Sequence, residues 1–132
     1  MMFNRKAQPP IRTLIGEGTV MRGELRFDDG LRIDGEVFGD VSANPGGRSL
    51  VVISEKARVH GKVTAGHVII NGEVRGPVAS SEMLELQPRA SVVGDVRYEV
   101  LEMHPGARID GRLEALKGGE KPALKLAASN DA

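Results

Sequence analysis

Leu86-Gln-Pro-Arg-Ala90-Ser-Val92-Val-Gly94-Asp-Val96 and Met103-His-Pro-Gly-Ala107-Arg-Ile109-Asp-Gly111-Arg-Leu113 follow one pattern. Apolar residues, an alanine and a glycine recur at the same offsets. Two residues after the first apolar position stands Pro88 or Pro105. Ile53-Ser-Glu-Lys-Ala57-Arg-Val59-His-Gly61-Lys-Val63 is a third copy, with Glu55 at that place. Ile15-Gly-Glu-Gly-Thr19-Val-Met21-Arg-Gly23-Glu-Leu25 is a fourth, with Thr19 for the alanine. A shorter variant appears as Ile33-Asp-Gly35-Glu-Val37-Phe-Gly39-Asp-Val41 and Ile70-Asn-Gly72-Glu-Val74-Arg-Gly76-Pro-Val78. The equivalent glycines 23, 39, 61, 76, 94 and 111 are 16, 22, 15, 18 and 17 residues apart. The longest step holds Asn44-Pro-Gly-Gly-Arg-Ser49, an inserted turn loop. The remaining period is too short for helical repeats of about 33 residues or leucine-rich repeats of about 20–29.

Within each copy the apolar residues come in pairs, such as Leu84 with Leu86, Ala90 with Val92, and Val96 with Tyr98. A period of two is that of a strand with one buried face. Turn residues follow each pair. Three short strands and three turns per repeat describe one rung of a parallel β-helix. Stacked rungs lie about 4.8 Å apart, so six of them make a rod about 25–30 Å long. The alignment puts Val92 over Ile109 and Val96 over Leu113, and points Met21, Ile33, Val59, Ile70, Val92 and Ile109 inward. Arg58, Glu85, Arg97 and Glu102 fall on outward positions, where Glu85 stacks unfavourably over Glu102. Large aromatics are expected to fit poorly in the aliphatic interior, which accounts for an aromatic content of 3%. The rungs occupy residues 14–116. Residues 1–13 and 117–132 read as disordered tails, the second opening near Gly118-Gly119 and Pro122.

Composition narrows the function. The chain has 132 residues, 18 basic and 18 acidic side chains, and no net charge. A general nucleic-acid binder needs excess positive charge. The absence of cysteine excludes a disulfide scaffold, a thiolate zinc site and a cysteine nucleophile. No apolar run approaches the ~20 residues that span a bilayer, and no secretory apolar core is present. Gly fills 17 positions, nearly twice the usual share of about 7%.

The copies Ile33–Val41 and Ala107–Leu113, with the opening Leu14-Ile-Gly-Glu-Gly-Thr19, resemble the repeats of bactofilins. The resemblance covers about residues 11–116. It implies an all-β, single right-handed parallel β-helix with disordered ends. It also implies a bacterial cytoskeletal scaffold, not an enzyme, that assembles end to end without a nucleotide. The expected place is the inner face of the cytoplasmic membrane, where the family organises cell-wall synthesis or remodelling and cell shape. Expected partners are further copies of the chain, membrane lipids, and cell-wall enzymes or membrane proteins.

The rod's two ends are the expected contact surfaces, because a terminal rung exposes unpaired backbone groups and a slice of the apolar column. The candidates are Leu14, Ile15, Met21, Leu25 and Phe27 at one end. At the other they are Leu101, Met103, Ile109, Leu113 and Leu116. Ala123-Leu-Lys-Leu-Ala-Ala128 is the one stretch able to form a helical cap. Met1, Met2 and Phe3, followed by Arg5 and Lys6, join apolar to cationic residues and look like the membrane-targeting segment of many bactofilins. His60 and His104 read as turn residues and His67 lies beside Gly66. They do not converge, so neither a metal site nor a cofactor is expected. No phosphate-binding glycine loop is present. Ser80-Ser81 reads as a turn.

Two rival functions remain. Left-handed hexapeptide-repeat enzymes, acyltransferases or carbonic anhydrases, share the spacing of Val52–Ala65 alone, but need 18-residue rungs in even sixes. A monomeric β-helix adaptor is the other.

Overall fold

A computed structural model describes residues 8–116. The alternation of apolar and polar residues becomes short strands, and the glycine- and proline-bearing turns bend the chain from one strand to the next. Rung 1 is β1 (Ile11–Ile15), β2 (Val20–Arg22) and β3 (Leu25–Phe27). Rung 2 is β4 (Asp29–Ile33), β5 (Glu36–Phe38) and β6 (Val41–Ala43). Rung 3 is β7 (Ser49–Ile53), β8 (Arg58–His60) and the start of β9 (Val63–Ile70). The rest of β9, β10 (Glu73–Arg75) and the start of β11 (Val78–Leu86) form rung 4. The end of β11, β12 (Ser91–Val93) and β13 (Val96–Tyr98) form rung 5. Rung 6 is β14 (Val100–Met103), β15 (Arg108–Asp110) and β16 (Leu113–Ala115).

Every strand pairing is parallel and joins one rung to the next. The molecule is an all-β parallel solenoid of six rungs, with no helix among the described residues. The register places Val92 on Ile109 and Val96 on Leu113, as the repeat alignment requires. Ile33, Val37, Val59, Ile70, Val74 and Leu86 are wholly shielded from water. Each such side chain contributes about 1.5–3 kcal/mol of burial. Met21 and Ile109 also face inward but are half-buried, because no rung covers them on one side.

Three sequence expectations need correction. Not every rung has three separate turns: β9 and β11 run through a corner as single strands. The Ser80-Ser81 turn is therefore part of β11. Ser80 is fully buried and its Oγ donates to the Gly66 carbonyl at 2.9 Å, so the hydroxyl enters the interior with its hydrogen bond made. On the rung above, Ser49 Oγ accepts from the Gly66 N–H at 2.8 Å.

His60 is likewise not in a turn but closes β8. The interior also admits aromatics: Phe27 and Tyr98 are both buried. Phe27 stacks on Ala43 and Tyr98 on Ala115, and Ala65 pairs with Ser80 in the same inward position of the third face. Small residues beside each ring leave it room. The stretch Ala123–Ala128, weighed as a cap against the preferred open end, and the segment Met1–Lys6 lie outside the described residues.

Candidate functional site

Each end of the rod follows from the topology. The strands β1, β2 and β3 pair only with rung 2, and β14, β15 and β16 only with rung 5. One edge of each terminal rung therefore lacks a backbone partner within the described solenoid. At the first end Met21 and Leu25 are half-buried, while Ile15 and Phe27 are almost covered. Leu14 alternates with the inward Ile15 and stands on the outer side of β1, in register with Arg32 and 59% exposed. It therefore faces sideways, apart from the other four. At the far end Leu101 is buried, Met103 and Ile109 are half-buried, and Leu113 and Leu116 are exposed. Leu113 occupies an inward register position, yet is 46% exposed because nothing among the described residues lies over it. Both ends thus present apolar side chains rimmed by a free strand edge.

The outer faces carry ordered polar contacts. Arg22 lies over the Phe38 ring at 4.7 Å, and Phe38 stacks on His60 with centroids 4.5 Å apart. His60 Nε2 is 3.0 Å from Glu36 Oε2. Glu73 is held below the usual carboxylate range, chiefly by its hydrogen bond from Arg75. Asp34 is also lowered, first by the Ser54 hydroxyl and then by Arg32.

Glu85 does stack on Glu102, and His104 lies beside both. Its Nε2 lies 3.2 Å from one carboxylate and 3.6 Å from the other. The three groups lie close enough for one cation, all within 4.8 Å of one another. The repeat pattern hid this trio because His104 sits in the turn after β14, outside the strand register. His67 lies on the outer side of the first face, where burial lowers its basicity against the pull of Glu82 and Glu85. A surface hollow of about 630 Å³ lies along a corner lined by Glu17, Lys56, Arg58 and Glu73. These residues are ion-paired across rungs, Lys56 with Glu17 and Arg58 with Glu73.

The described residues form a six-rung parallel β-solenoid, which defines the class of protein. The family model for bactofilins, described as polymer-forming cytoskeletal proteins, matches residues 13–114. The chain belongs to the bactofilin family, a structural rather than catalytic one. It is 28% identical over 112 residues to bactofilin BacO of Myxococcus xanthus, covering 85% of this chain and 86% of that protein. It is also 28% identical over 117 residues to bactofilin BacP of the same organism, covering 87% of this chain but 47% of BacP. No solved structure gives a significant match.

Proposed function

We propose that this polymer-forming protein assembles through its terminal rungs, without a nucleotide, into filaments held at the inner face of the cytoplasmic membrane. There it acts as a scaffold for cell-wall synthesis or remodelling. The division of labour is a rod over residues 14–116 that carries assembly and an N-terminal segment that carries attachment. One observation bears most of the weight: among the described residues, each terminal rung has one strand edge without a partner around half-buried apolar side chains, Met21 and Leu25 at one end and Met103 and Ile109 at the other. Edge pairing together with apolar burial is the physics of strand addition. The membrane part rests on Met1, Met2, Phe3, Arg5 and Lys6. Each cation near an anionic surface contributes about 1 kcal/mol, and a filament multiplies a weak anchor by its copy number.

Negative-stain microscopy of the purified chain without nucleotide tests the assembly. Filaments are expected, from the full chain and from residues 11–116 alone. A core that stays monomeric at high concentration overturns the reading. A discrete small oligomer in place of filaments overturns it as well.

A further inference from the structure

Gln8–Pro10, just before β1, do not lie along the rod's axis beyond rung 1 but turn back over the outer side of the first face, from rung 2 to rung 4. The Pro10 carbonyl lies so close to Gly30 of rung 2 that a Cβ there would overlap it and come within 2.8 Å of Ile11 Cα. Two rungs further on, the Gln8 amide Nε2 is 3.4 Å from His67 Nε2. Gly30, Leu50 and His67 stand in one register column. Leu50 neighbours the inward Val51 and so points outward, yet it is only 5% exposed. Pro9, between the two anchor points, is half-buried. The segment Gln8–Pro10 therefore lies along this column.

The same column continues past His67 to Met83 on rung 5 and Val100 on rung 6. Val100 is 51% exposed. Beside these two apolar residues stand Glu82, Glu85 and Glu102. Ahead of Gln8 the sequence reads Met1-Met2-Phe3-Asn4-Arg5-Lys6-Ala7. Extended at about 3.3 Å per residue, seven residues reach about 20 Å. Two rungs need only about 10 Å. Residue chemistry is complementary as well: Arg5 and Lys6 are opposite in charge to the carboxylates, and Met2 and Phe3 are apolar like Met83 and Val100.

We propose that residues 1–7 dock on rungs 5 and 6 of their own chain, over Met83 and Val100 and among Glu82, Glu85 and Glu102. Own-chain docking follows from Gln8, which already lies on rung 4. The segment then has two exclusive destinations, its own rod and an anionic lipid surface. The competition with lipid rests on the membrane reading above, but the docking does not.

The test uses the full chain with a benzoylphenylalanine photoprobe in place of Phe3, prepared as a mixture of isotope-labelled and unlabelled copies. Irradiated without lipid, it is expected to cross-link to peptides spanning residues 82–86 and 99–103, within a single isotopic species. Met83→Glu combined with Val100→Glu, both on the outer side, is expected to cut that yield several-fold. The milder Val100→Ala should cut it less, and neither is expected to change the melting temperature appreciably. Anionic phosphatidylglycerol vesicles are expected to compete the cross-link away, and the double variant to bind them several-fold better than the parent. Absent cross-links, cross-links elsewhere on the rod, or cross-links only between isotopic species overturn own-chain docking. Cross-links that form as expected while no variant binds vesicles keep the docking and remove the membrane reading.

Discussion

At Gly94, the backbone of rung 5 passes so close to Gly76 that a Cβ would overlap the Gly76 carbonyl oxygen. Gly111 stands in the same relation to Gly94. The recurring glycine that gives the repeat its period is thus a place where successive rungs touch backbone to backbone. Gly94→Ala is expected to cost about 2–3 kcal/mol through forced displacement of the rungs. Gly47→Ala in the inserted loop, where a Cβ meets open space, should be near neutral. Thermal melting of the two variants measures the contrast. Val92 tests the inward register in the same way. Val92→Asp buries an unpaired carboxylate and should cost several kcal/mol. Arg58→Asp should cost little more than its exposed ion pair with Glu73. If denaturant titration shows Arg58→Asp unfolding the chain while Val92→Asp leaves it intact, the assigned register is wrong. These residues were legible because inward and outward places alternate along the chain. Ser80 was not, since a serine pair looks like a turn until Gly66 is seen beside it.

The terminal strands carry the consequences at the scale of elements. An interior strand such as β10 has β8 on one side and β12 on the other, whereas β3 and β16 each have one partner. Leu25 in β3 and Leu113 in β16 face the open ends. Leu113→Arg or Leu25→Arg should leave a folded rod, since both sites already touch solvent, and block addition at that end by placing a desolvated guanidinium in the contact. Sedimentation velocity is expected to show short species in place of filaments. Dimers are the expected limit if the intact end still pairs with its like. Long solenoids from both variants would place assembly on an outer face, where Leu14 stands. The strand count and pairing were readable from the spacing of apolar pairs. The fusion of β9 and β11 across corners was not, because a continuous strand and a tight turn at Gly66 have the same local composition.

The whole molecule combines a short rod with a segment that precedes it. Deleting Met1–Lys6 is expected to leave polymerisation unchanged while sharply reducing co-sedimentation with anionic vesicles. Replacing Arg5 and Lys6 by alanine should weaken binding and flatten its dependence on salt, because screened charge attraction is what is removed. Assembly-blocked variants with the segment intact should bind poorly, since the many-fold attachment of a filament is lost. Equal sedimentation of the truncated and full chains would move the tether to a rung face or to a partner protein.

Periodicity by itself determined the parallel solenoid, its six rungs and the inward set. Alternation along a strand and the turn preference of Gly and Pro are properties of neighbouring residues, so they are written in sequence order. Tertiary structure alone decided three other things. Phe27 and Tyr98 enter the core because alanines beside them in the stack leave room. His104 comes to lie against both Glu85 and Glu102, which the strand register stacks. Gln8–Pro10 turn back along Gly30, Leu50 and His67. Each depends on which residues from different rungs meet side by side, and rungs of unequal length hide that from any fixed spacing.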